Sequence, residues 1–189
     1  MRAGLIAFTS RGMALAELAQ AVLEQAGWQC STRRGGRQGV PLAQWTAEAF
    51  SQCQALVFVG AAGIAVRAVA PHLRHKAQDP AVLCLDENGR FAIPLVSGHI
   101  GGANALALLL GRGLGAVPVI TTATDGRGLF AVDTWAKGQG LAIGNPEKIK
   151  EVSGRLLEGL PVGLCSDLPL QGPWPQGVEP APAESCHIR

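Results

Sequence analysis

Between residues 97 and 104 the chain runs Ser97-Gly98-His99-Ile100-Gly101-Gly102-Ala103-Asn104, the segment richest in groups that could do chemistry. His99 can take and return a proton near neutral pH. Ser97 and Asn104 supply neutral hydrogen-bonding groups. Gly98, Gly101 and Gly102 let the backbone turn sharply and come close to a ligand. A helix start behind them offers N–H groups and a positive dipole end, suited to a carboxylate or phosphate. The pattern is neither G-x-G-x-x-G nor a P-loop, because no Lys-Ser/Thr follows the glycines. The competing reading is a capped tight turn with an incidental histidine.

Two more segments have comparable character. Thr121-Thr122-Ala123-Thr124-Asp125-Gly126 follows an apolar strand, and ligands of parallel α/β sheets bind at the carboxyl ends of strands. The hydroxyls of Thr121, Thr122 and Thr124 can orient water or a carboxylate, and Asp125 can act as base or as partner to His99. Capping of a helix by Thr124 or Asp125 explains the same residues equally well. In Gly60-Ala61-Ala62-Gly63-Ile64-Ala65-Val66-Arg67, the small residues at Gly60 and Gly63 let the turn lie against a flat ligand. Arg67 can pair with a carboxylate through two parallel hydrogen bonds. Because all three segments follow apolar strands, one ligand is expected to lie across residues 60–63, 97–104 and 121–126.

Other polar clusters have simpler explanations. Arg33-Arg34-Gly35-Gly36-Arg37 is either a solvated loop or an anion-binding one. His72, Arg74, His75 and Lys76 suit a helix carboxyl end, and His72 and His75 lack further metal ligands nearby. Cys30, Cys53, Cys84, Cys165 and Cys186 form no C-x-x-C pair, so neither a disulfide framework nor a zinc site is indicated.

The elements that must position these groups alternate. Ala3–Phe8 is a predicted buried strand, and Ser10 a predicted cap for the helix whose apolar residues run from Met13 to Ala26. A weak strand at Trp28–Ser31, a helix over Leu42–Phe50 and a strong strand at Ala55–Val59 follow. A helix over residues 61–70 comes next. Asp86-Glu87-Asn88-Gly89-Arg90 is a tight turn between antiparallel strands Ala81–Leu85 and Phe91–Val96. After them come a helix at Ala105–Leu110, a strand at Val117–Thr121, a helix through Trp135, and a helix opened by Asn145-Pro146-Glu147. Leu160–Cys165 reads as a strand, and Cys186–Arg189 as the start of another. This order predicts an α/β protein with a Rossmann-like or flavodoxin-like, mainly parallel sheet and helices on both faces. The start of a smaller α/β middle domain follows. The expected division is 1–125 for the amino-terminal domain and 126–189 for an incomplete middle domain.

The chain has 189 residues and a formal net charge of +2 from 16 basic and 14 acidic side chains, so no general nucleic-acid field is present. Its apolar stretches are too short for a membrane helix or a signal peptide, which points to the cytoplasm.

Taken in order, residues 60–67, Lys76–Val82, Asp86–Phe91 and Ser97–Asn104 resemble the cobalt-precorrin-5A hydrolases, the CbiG family. The likeness continues through Thr121–Asp125 and Ala131–Asp133, and Pro161–Asp167 looks like the family's middle domain. The resemblance implies opening of the lactone of cobalt-precorrin-5A and release of acetaldehyde, giving cobalt-precorrin-5B, a step of anaerobic cobalamin (vitamin B12) biosynthesis. Matched to that chemistry, His99 helped by Asp125 is the candidate base, and the N–H groups of Gly101 and Gly102 are candidate oxyanion donors. Arg67 and Arg90 would hold peripheral carboxylates. The cobalt belongs to the substrate, so no cofactor and no protein-bound metal are expected. Expected partners are the corrinoid, the family's carboxyl-terminal domain, which this chain stops short of, and other enzymes of the pathway. A non-catalytic corrinoid-binding piece is one alternative. An unrelated nucleotide-binding Rossmann-type module is the other.

Overall fold

A computed structural model of the chain describes all residues except 38, 76, 77, 124–126, 168 and 171, and the side chain of 137. It divides into two compact units, Met1–Ile120 and Thr121–Arg189.

In the first unit the order is β1 (Arg2–Ala7), α1 (Ser10–Gln25), β2 (Gln29–Arg34), α2 (Leu42–Gln52), β3 (Ala55–Val59), α3 (Ala62–Val69), β4 (Ala81–Leu85), β5 (Phe91–Val96), α4 (Ala103–Leu114) and β6 (Val117–Pro118). The sheet order is β2-β1-β3-β4-β5-β6. Strands β1 to β4 are parallel, β5 runs against β4, and β6 runs parallel to β5. This is the mainly parallel α/β sheet expected, with an antiparallel hairpin at one side.

Strands β3 and β4 are apolar at every position because both their faces are covered. Side chains alternate between two cores. Leu5, Val57 and Leu83 pack with Ala16, Ala19 and Leu23 of α1 and with Leu106, Ala107 and Leu110 of α4. On the other face Ile6, Leu56, Phe58 and Val82 pack with Trp45 and Ala49 of α2 and Ala65 and Val69 of α3. There the Trp45 and Phe58 rings meet edge to face at 5.4 Å.

Local details depart from expectation in instructive ways. Thr9, not Ser10, caps α1: its Oγ1 accepts from the Gly12 N–H at 2.9 Å. Helix α4 extends a turn past the predicted Leu110, to Leu114, where Gly115 in the left-handed region stops it. The strand expected over Val117–Thr121 is paired only at Val117 and Pro118.

The second unit holds α5 (Val132–Gly138), a 3₁₀ turn at Pro146–Lys148, α6 (Ile149–Leu157), β7 (Val162–Leu164) and β8 (Val178–Pro180). Its core gathers Phe130, Val132, Val152, Leu156, Val162, Leu164 and Val178. Asn145 makes no side-chain cap bond, and the 3₁₀ turn leads into α6. The expected final strand contributes a single parallel bridge between Ile188 and Leu164. Among the described residues no helix is long and apolar enough to cross a membrane.

Candidate functional site

The direction of β5 decides which candidate residues meet. In the parallel part of the sheet Val59 lies beside Leu85, so the turn at Gly60 is at the carboxyl edge of β3 and β4. Strand β5 begins at that edge, with Ala92 beside Leu85, and ends at the other, with Val96 beside Val82. Five residues of β4 therefore separate the level of Gly60 from that of Ser97, about 16 Å at the usual rise of a strand. Gly60–Gly63 and Ser97–Asn104 occupy opposite edges of the sheet. The expectation of one ligand across both is corrected: each segment follows a strand, but the two strands point opposite ways.

The Ser97–Asn104 loop is tightly built. Gly102 N–H donates to the His99 carbonyl at 3.0 Å, Ala103 N–H to the Ser97 carbonyl at 3.1 Å, and Asn104 N–H to the Gly98 carbonyl at 3.0 Å. These bonds satisfy part of the open first turn of α4. Its cap residue is Gly102 at φ 87°, with no side-chain cap bond. A Cβ on Gly101 would stand 2.3 Å from Ser97 Cβ, so the loop closes over Ser97 only because residue 101 is glycine. Gly98 likewise makes room for the buried Asn104 side chain, whose Oδ1 would be 2.9 Å from an added Cβ. Since Gly102 N–H is already bonded to His99, only Gly101 remains of the expected pair of oxyanion donors. His99 is half-buried within the loop.

Ser97 stands apart within this loop. Among the described residues it is the one non-glycine with positive φ, at 59°. Its Oγ is buried and has no hydrogen-bond partner among the described residues, while the residue is 8 % exposed. The same edge carries an acid that sequence reasoning passed over. Asp79, buried just before β4, accepts the Arg74 N–H through both carboxylate oxygens, at 3.0 and 3.2 Å, and so closes the loop leading into β4. Asp79-Pro80 directly before an apolar strand was the available signal.

At the opposite edge lie Gly60, Gly63, Arg67 and Arg90. Arg67 is exposed on α3, and its guanidinium folds back towards the helix start, with Nη1 3.9 Å from the Cβ position of Gly63. Arg90 is exposed and its Cζ lies 5.6 Å from the Phe91 ring centroid. Asp86 closes that turn by accepting the Phe91 N–H at 2.7 Å, and Thr9 Oγ1 donates to Glu87, tying the turn to the start of α1. Thr121 is exposed and Thr122 half-buried, both at the start of the second unit. Thr124 and Asp125, and with them the proposed His99–Asp125 pair, lie outside the described residues.

Comparison with known proteins adds an independent line. Residues 44–125 match the family described as Cobalamin synthesis G N-terminal, and residues 130–184 match Cobalamin biosynthesis central region. The cobalt-precorrin-5A hydrolase of Salmonella typhimurium is 46 % identical over 124 residues, covering 65 % of this chain and 35 % of that protein. The cobalt-precorrin-5A hydrolase of Priestia megaterium is 38 % identical over 108 residues, 57 % of this chain and 29 % of that protein. The chain thus spans about a third of the length of the curated relatives it matches. The crystal structure of a cobalamin biosynthesis protein G homolog from Sulfolobus solfataricus shares the fold, with a TM-score of 0.58 at 24 % identity, over 94 % of this chain and 52 % of that one.

Proposed function

The chain belongs to the cobalamin synthesis G family, and from that premise we propose that it forms the amino-terminal and central part of a cobalt-precorrin-5A hydrolase. The observation that carries the reading is the loop at the head of α4, inside the matched segment. There a half-buried histidine, a strained serine and a buried asparagine are held together by backbone bonds.

In the reaction, water adds to the lactone carbonyl of cobalt-precorrin-5A and the acyl–oxygen bond breaks. The freed hydroxyl belongs to the two-carbon fragment that then departs as acetaldehyde. His99 takes the proton of the attacking water, and donors of the loop hold the charge that develops on the carbonyl oxygen. Arg67 and Arg90 stand at the far edge with the sheet in between, so the reading assigns them no carboxylate of the same ring. Cobalt arrives within the substrate, and the chain works in the cytoplasm without a cofactor of its own.

Because the chain spans about a third of its relatives' length, a second reading keeps corrinoid binding here and takes catalytic groups from a carboxyl-terminal domain. Acetaldehyde release separates the two. It is measured with this chain alone and with the carboxyl-terminal domain of a relative added. His99→Ala should lower turnover about 10²–10⁴-fold, the range for a positioned acid–base group. Near-normal turnover in a folded variant would take His99 out of the mechanism.

A further inference from the structure

Ser97 combines two unfavourable features at one position. Its backbone is left-handed, at φ 59°, a conformation that glycine adopts freely and serine does not. Its hydroxyl is shut away from water, and among the described residues it has no acceptor or donor. A glycine would relieve both, and an alanine the second. The residue is lodged against the start of α4: its carbonyl accepts the Ala103 N–H, and its Cβ lies where Gly101 alone leaves room. Neither cap nor turn geometry needs the hydroxyl, since the turn is held by backbone bonds and α4 opens on Gly102 with no side-chain cap.

We propose that the Ser97 hydroxyl is a substrate contact, donating a hydrogen bond to an anionic carboxyl-type oxygen at the head of α4. The proposal rests on the corrinoid reading above and extends it to a named donor. Gly101 packs against Ser97 in the free protein, with glycines at 98 and 102 on either side of the turn. An anionic oxygen that reaches this point supplies the acceptor the hydroxyl lacks. Two oxygens share this chemistry, a peripheral carboxylate of the macrocycle and the oxyanion formed at the lactone carbonyl. The first acts in the ground state and the second only in the transition state.

The test compares the wild-type chain with Ser97→Ala in three measurements. Without ligand, the variant should melt at the same temperature or higher, because it loses only an unpartnered buried hydroxyl. Affinity for cobyrinic acid, a corrinoid bearing free carboxylates, is read by calorimetry. Acetaldehyde release from cobalt-precorrin-5A is read as kcat and KM. A peripheral-carboxylate contact gives at least about 10-fold weaker cobyrinic acid binding and a raised KM. An oxyanion contact leaves that affinity alone and lowers kcat about 10²–10³-fold. If wild type binds cobyrinic acid in a Ser97-dependent way yet releases no acetaldehyde even with a relative's carboxyl-terminal domain added, the hydrolase reading fails and the Ser97 assignment stands. A lower melting temperature in Ser97→Ala overturns the assignment. So does unchanged affinity together with unchanged turnover, or the absence of both binding and turnover in the wild type.

Discussion

At Ser97, left-handed backbone costs a non-glycine residue about 1–2 kcal/mol, and an enclosed, unmet hydroxyl about 1–3 kcal/mol more. The sequence marks Ser97 and His99 as candidates because of their chemistry and their glycine neighbours. The strain itself is not legible there, since φ at residue 97 is set by how β5 enters the loop and by Gly101 closing over it. Cys84 illustrates the opposite case, a reactive group type made inert by position. Its thiol is buried in β4 and pushed up to about 11, chiefly by burial and further by the Asp86 charge, with a smaller opposing effect from the Gly60 backbone. A raised thiol pKa keeps the protonated form dominant well above neutral pH, and the thiolate is the reactive species. Native Cys84 should therefore resist iodoacetamide at pH 8 and react readily in urea, as followed by peptide mass spectrometry. Labelling of the folded chain at the rate of a free thiol would contradict its burial.

At the scale of elements, one hairpin determines which candidate residues share an edge of the sheet. The Asp86–Arg90 turn was legible from its composition, and with it the antiparallel pairing of β4 and β5. Its consequence for the site follows only once register is known: a strand run backwards delivers its carboxyl end to the amino edge of its neighbours. The strand-end rule had grouped Arg67 with His99, because both segments follow apolar strands. Topology reverses the expected effect of mutating that arginine. Arg67→Ala should change cobyrinic acid affinity no more than Arg34→Ala does, within about twofold, because removing one exposed charge far from the ligand alters only screened, long-range attraction. Calorimetric titration of both variants decides it. A tenfold loss confined to Arg67→Ala would move the ring to the carboxyl edge of β3 and remove the Ser97 loop from the binding site.

At the scale of the whole chain, each unit has an interior of its own. Among the described residues, both cores of the first unit are made from residues 3–116, and the core of the second from residues 130–188. The alternation of apolar runs with helical periods made the first unit readable, since a sheet covered on both faces forces continuous apolar strands. The second unit has short strands of three residues each among dense prolines and glycines, and such segments leave little periodicity to read. Burial of every residue in β3 and β4, between helices that belong to the same unit, means the first unit needs no outside surface to complete its core. Residues 1–120 produced alone should therefore melt cooperatively by circular dichroism, with the amides of β3 and β4 slowest to exchange with solvent. The Ser97–Asn104 loop should persist in that fragment, because the backbone bonds that shape it run from residue 97 to residue 106. If the fragment is unfolded, or its β3 amides exchange as fast as those of a free peptide, the two-sided core depends on the second unit and the independence argued here is wrong.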